Sequence, residues 1–132
     1  MMIDAYLWGV YGDPYFDFSS TPHSNNYAII TGWNRFGKKQ SHQDNLLQNE
    51  QLLAAAPTVE VVNVLVGNRD FTWYEESYAV AIDRISALEL ARKCAQNAIY
   101  YVEDGELILL SCIDQAETSI GRLNARCRKG FI

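Results

Sequence analysis

Four residues offer the richest hydrogen-bonding chemistry in the chain: Trp33 and Asn34, then Asn45 and Asn49. Asn45 and Asn49 stand four apart, so on a helix they share one face. If that helix packs back on the segment ending at Asn34, three amides meet. An amide carries donors and acceptors without charge, which suits a base edge, a peptide or another polar ligand. The same groups serve equally well as a buried network pinning a loop to a helix, because a buried amide left unpaired is costly. The residue types allow both uses.

A second group is Trp73, Tyr74, Glu75 and Glu76, with Phe71 just before it. Rings beside carboxylates suit the anchoring of a basic protein, since Trp and Tyr are favoured interface residues. The plainer use is to cover a sheet edge. His23, His42 and Cys112 are the remaining candidates for proton transfer or nucleophilic attack. Cys112 ends an apolar run and fits a packed thiol. The two histidines lack the patterned carboxylate that would mark a metal site. Gly9 and Gly12 are too close together for a phosphate loop. Tyr15, Phe16, Tyr100 and Tyr101 have rings that can stack on bases, but a negatively charged body disfavours nucleic acid. No catalytic set, metal site or cofactor is therefore assigned.

The elements that must position these groups follow from pattern. Residues 5–18 are aromatic and β-branched, punctuated by Gly12-Asp13-Pro14, and read as strand or irregular edge with Tyr15, Phe16 and Phe18 partly buried. Residues 19–26 form a loop by composition, and residues 27–33 a strand. Ser41 opens a helix, with Asp44 three residues on as a capping-box variant, and Pro57 ends it near Ala56. Leu46 and Leu53 are expected on its inner face, with Leu47 and Ala54 beside them. Residues 58–66 alternate Val59, Val61, Asn63, Leu65 against Glu60, Val62, Val64, Val66, so both faces are mostly apolar and the strand is central. Residues 77–82 give another strand. Asp83 caps a helix over residues 84–96, with Ile85, Leu88, Ala91 or Arg92, and Ala95 as its stripe and Asn97 at its C-cap. Residues 98–102 and 107–112 pair through a turn at Glu103-Asp-Gly-Glu106. Ile120, Leu123 and Cys127 are spaced for a short helix.

From residue 27 the order is strand, helix, strand, strand, helix, strand, strand. This predicts an α+β fold whose first six elements follow the ferredoxin-like βαββαβ order, with an extra C-terminal hairpin strand. Two helices would pack on one face of a mostly antiparallel sheet; the alternative is a differently ordered α+β sheet, because element order does not fix strand order. Residues 1–112 form one domain, and residues 113–132 are a basic extension.

Thr31-Gly-Trp-Asn34, then Asn45 and Asn49 with Leu52, Glu76-Ser77 opening a strand, and Gln96 with Ala98 closing a helix occur in an order that resembles the DUF3293 family of small bacterial proteins. The resemblance spans about residues 5–112. Where the family pattern reads Thr-Ala-Trp-Asn-Pro, this chain has Gly32 for the alanine and Arg35 for the proline, so the loop after Asn34 is expected to differ. The resemblance implies one compact domain and carries no assigned activity.

Composition bounds the rest. At 132 residues, 48% apolar and 20% charged, the chain supports one real core. No apolar run approaches the roughly 20 residues of a membrane helix, and Asp4 without a basic flank is not a secretory start. Cys94, Cys112 and Cys127 are three thiols without a C-x-x-C pair, which predicts a reducing, cytoplasmic setting. The net charge is −5, yet Arg122, Arg126, Arg128 and Lys129 crowd the last 13 residues, which hold no carboxylate side chain. The rest of the chain is therefore strongly acidic and attracts a basic partner, while the tail is solvated or folds back on the body. Two functions are expected. One is a small acidic protein that neutralises or regulates a basic protein, as bacterial immunity proteins do for nuclease toxins encoded beside them. The other is a small-ligand or nucleotide-binding domain, or an enzyme, using the asparagine cluster.

Overall fold

The computed structural model describes residues 5–128. The α+β expectation is met. Helix α1 (Ala5–Tyr11) leads into strand β1 (Tyr15–Phe18) and then β2 (Asn26–Ile30). Helix α2 (His42–Ala55) is followed by β3 (Val61–Gly67) and β4 (Tyr74–Val80). Helix α3 (Arg84–Lys93) precedes β5 (Ala98–Glu103), β6 (Glu106–Ser111) and β7 (Glu117–Arg122). The seven strands make one sheet in the order β1-β3-β4-β2-β5-β6-β7, antiparallel at every step. Among the described residues no helix is long and apolar enough to cross a membrane.

The sheet curls until its ends approach. After β7 a 3-10 turn at Leu123–Arg126 brings Cys127 beside Phe16 of β1, and the Arg128 amide donates to the Phe16 carbonyl at 2.8 Å. Strand alternation then sorts the core onto two faces. Phe16, Phe18, Ile29, Val64, Leu107 and Leu123 pack inside the curl. Ala28, Ile30, Ile99 and Leu110 pack on the other face, under Leu52 of α2 and Ala87, Leu90 and Ala91 of α3.

Several expectations change. The start of the 5–18 segment is helical: α1 covers residues 5–11, and only 15–18 pair as a strand, where Phe16 and Phe18 are fully buried. Strand β3 starts at Val61, and Val59, expected on a sheet face, lies almost wholly in solvent. In α2 the inward face is Asn45, Asn49 and Leu52, while Leu46, Leu47 and Leu53 are exposed. Those three inward residues have helical spacing, and the two amides find partners that hold them inside. In α3 the inward residues are Ala87, Leu90, Ala91 and, just past its end, Cys94, whereas Ile85 is exposed. The stripe expected from Ile85 and Leu88 is thus rotated, because the close approach to β2 and β5 selects the alanines.

Local signals behave as their chemistry demands. The Ser41 and Asp83 side chains accept from the amides of Asp44 and Ser86, capping α2 and α3. Helix α3 ends in a Schellman arrangement, with Gln96 N–H donating to Ala91 O and Ala95 N–H to Arg92 O. The left-handed residue there is Ala95 (φ 55), not Asn97. Asp104 (φ 47) and Gly105 (φ 83) supply the tight β5–β6 turn. Residues 113–128, set apart in sequence as a basic extension with a short helix, contribute β7 and the core residue Leu123 to this sheet. The basic residues of that segment turn back on the acidic body. Arg126 pairs with Asp13 at 2.9 Å, Arg128 with Asp17 at 3.8 Å, and Arg122 donates to the Asp104 carbonyl. Lys129 lies outside the described residues.

Candidate functional site

The interior of the curl is filled at one end and open at the other. At the open end lies a cavity of about 660 Å³, floored by Ile29, Ser77, Tyr100 and Leu109 and rimmed by α1, the loop after β2, and the β3–β4 turn. Its walls are mostly apolar and aromatic, with Tyr11, Trp33, Trp73, Tyr74 and Tyr100 among them. Two carboxylates line it, the exposed Asp13 and Glu75 on β4, the latter bonded to Asn34.

The loop from Thr31 to Gln40 is held from three sides. Gly32 lies against α2 so closely that a Cβ there would sit 2.7 Å from the Gln48 carbonyl group. The Gly32 amide donates to Asn49 Oδ1 at 2.7 Å, and Asn49 Nδ2 donates to the Glu76 carbonyl at 2.9 Å. Thr31 Oγ1 donates to the same carbonyl at 2.7 Å. One helix residue thereby ties the loop to β4. Asn34 adopts the left-handed conformation (φ 52) that asparagine tolerates. Its amide N–H donates to Asn45 Oδ1 at 2.9 Å, and its own Oδ1 accepts from the Gln40 amide at 2.9 Å. From α3, Gln96 Nε2 donates to the Trp33 carbonyl at 3.1 Å. The amides of Asn45 and Asn49 thus bond to other parts of the chain, and the two residues are buried. They shape the site from behind.

Asn34 has a further role. Its Nδ2 donates to Glu75 Oε2 at 2.7 Å and so fixes the carboxylate toward the cavity. Burial raises the Glu75 carboxyl above its ordinary value, with the Asn34 hydrogen bond pulling in the opposite direction. Tyr100 stands near enough to feel that charge. Burial, reinforced by Glu75, pushes its phenol well above the ordinary range, so it is a neutral donor, bonded to the Tyr11 carbonyl at 2.6 Å. The Trp33 indole N–H and the Gln40 side-chain N–H, both on cavity-lining residues, are buried without a hydrogen-bond partner among the described residues. An orphaned buried donor costs about 1–3 kcal/mol.

The sequence-selected groups separate accordingly. Trp33, Asn34, Asn45 and Glu75 meet at the cavity, and Asn49 braces it. Trp73 and Tyr74 lie at its rim, 55% and 42% exposed, while Glu76 contributes its backbone carbonyl to the loop anchor. Of His23, His42 and Cys112, only His42 lines the cavity, with its ring edge-on to Trp33. Cys112 is packed on the helix-covered face, where burial pushes its thiol up to about 12. Among the described residues no cluster of three or more His, Cys, Asp or Glu stands ready to hold a metal ion.

Comparison with known proteins adds one result. A family model described as "Protein of unknown function (DUF3293)" matches residues 30–99, more than half of the chain. The chain belongs to the DUF3293 family. No curated protein and no solved structure matches it. The match in this DUF3293 chain runs from the last residue of β2 to Ile99 of β5, and so takes in the loop, both buried asparagines and Glu75.

Sequence reasoning misplaces three contributors. Tyr11 came from a segment taken for strand. Tyr100 was considered only as a stacking ring, not as a buried phenol. Glu75 reads in sequence as part of a partner-binding edge; its alternation with Ser77 and Ala79 is the signal that puts it on the interior face of β4.

Proposed function

We propose that this protein is a small-ligand-binding domain and that the cavity inside the curled sheet is its binding site. One observation carries the reading: a mostly apolar cavity of about 660 Å³ holds a fixed carboxylate, Glu75, within aromatic walls. That volume and polarity are typical of small-molecule sites, which lie preferentially in places such as the mouths of curled sheets. An occupant with a hydrogen-bond acceptor would also relieve the orphaned donors on Trp33 or Gln40. The asparagines give the loop its shape, and the ligand meets Glu75 and the rings. A thermal-shift screen against a metabolite panel tests this. A hit should raise the melting temperature of the native chain and lose its effect in Ser77→Leu, which fills the cavity from its floor. If no compound shifts the native chain, the reading fails.

A second reading is favoured by the exposure of Trp73 and Tyr74 on a net-acidic chain. In it, these rings with Glu75 and Glu76 dock a basic protein, in the manner of a bacterial immunity protein facing a nuclease toxin. Its test is low-salt co-purification with the product of the adjacent reading frame. Retention unaffected by salt, or none, counts against it. Both readings assume a reducing cytoplasm, where Cys94, Cys112 and Cys127 stay unpaired. The ferredoxin-like description of the fold belongs to the same set of proposals. It is supported by the run β3-β4-β2-β5 and by residues of α2 and α3 in one core cluster, with β1, β6 and β7 as additions.

A further inference from the structure

We propose that Glu75 makes the cavity selective for small organic cations: a protonated amine, amidinium or guanidinium carried on a flat apolar body. The inference rests on the ligand-binding reading above and names the class of ligand.

Glu75 enters the cavity from the interior face of β4, two residues from buried Ser77 and four from buried Ala79. An ionised carboxylate in such surroundings needs a compensating charge or several donors. Arg84, Arg126 and Arg128 pair with Glu103, Glu117, Asp13 and Asp17 and not with Glu75. Its neighbour Asn34 supplies one neutral donor, which orients the group and leaves its charge in place. The protein thus presents an aimed carboxylate, and a cationic ligand would supply the counter-charge that its ionised form needs. The walls suit the same ligand. Trp73 and Tyr74 offer exposed ring surface, and Trp33, Tyr11 and Tyr100 line the same cavity. Rings attract a cation through their quadrupole and stack on a flat body. An anion would meet Glu75, while the other charged or basic lining residues, Asp13 (paired with Arg126), Lys39 and His42, are exposed. The hydrogen-bond donors of an amine or amidinium also match a carboxylate, which only accepts.

The test compares charge at constant shape. Tryptamine and benzamidine are titrated into the full chain, followed by tryptophan fluorescence and calorimetry, beside the neutral isosteres indole-3-ethanol and benzamide and the anions indole-3-acetate and benzoate. Each cation should bind at least about ten-fold more tightly than its neutral isostere, the usual effect of a charge-assisted hydrogen bond. The anions should bind most weakly. Glu75→Gln should abolish the cation preference, bringing each cation level with its neutral isostere in that variant. Equal affinity for cation and isostere overturns the inference, as does a preference that survives in Glu75→Gln. If that variant does not fold, the ratio in the native chain decides. Neutral compounds binding with no advantage for cations would sink this inference and leave the cavity reading standing. No binding by any probe or by the metabolite panel removes both.

Discussion

Asn34 Nδ2 lies 2.7 Å from Glu75 Oε2, joining a loop residue in left-handed conformation to a carboxylate on the interior face of β4. The contact links the two residue groups that stand out in sequence, the amides and the acidic aromatic segment. It also places a titrating group, Glu75, in the wall of the cavity.

Stability should therefore depend on pH through Glu75. Its carboxyl is raised in the folded protein above its ordinary value of 4.5. Folding favours the protonated form, so this contribution is full below the unfolded-chain value and is lost as pH rises through the folded one. Urea unfolding across that interval should show native stability falling relative to Glu75→Gln as pH increases. Parallel curves for the two proteins would remove Glu75 as the source. Asp13, Lys39 and His42 line the same cavity and are present in both, so they cancel in the comparison.

Asn49→Ala should destabilise the protein by about 1–3 kcal/mol, because it strands the Gly32 amide in a buried place, while the Glu76 carbonyl keeps its bond from Thr31 Oγ1. Ligand affinity of the folded fraction should stay close to native, since Asn49 is 2% exposed and braces the loop from behind. Chemical denaturation gives the first quantity and calorimetry the second. A large loss of affinity at native stability would make Asn49 a contact residue.

Ala95→Gly should stabilise by about 1 kcal/mol. Ala95 closes the Schellman motif at φ 55, where a Cβ is unfavourable and glycine is the preferred residue. A rise in the urea midpoint at unchanged slope checks it. No change would mean that the greater freedom of glycine in the unfolded chain cancels the gain.

Ending the chain after residue 112 should prevent stable folding, and Leu123→Ala alone should cost about 2–5 kcal/mol. Leu123 is fully buried, and β7 pairs with β6 along most of its length. Circular dichroism and size exclusion of the two proteins measure this. A truncated chain with native-like melting would restore residue 112 as the domain boundary.

Much of the fold is legible in local chemistry. Ser41, Asp83 and the Asp104-Gly105 turn mark element ends because each satisfies or bends the backbone within a few residues. What is not legible depends on distant partners. The leucines of α2 look like its inner face, yet Asn45, Asn49 and Leu52 turn inward because the loop after β2 offers the amides hydrogen bonds. The exposed β7 carries little apolar pattern of its own, and only its pairing with β6 reveals it. The amide cluster was visible as residues but not in its use. Spacing alone does not tell whether an amide bonds to the chain or waits for a guest. The cavity could not be read at all, because it is a space between α1, β4 and β5.

The amide of Arg128 meets the carbonyl of Phe16, so the first strand is completed by some of the last described residues. Loop closure over that span is among the largest the chain makes, and contacts so far apart in sequence form slowly. On the ribosome, β1 must wait with one edge open until residue 128 has emerged. Synthesis and folding are thereby uncoupled for this sheet, and a stalled nascent chain would carry Phe16 and Phe18 uncovered, ready to engage a chaperone.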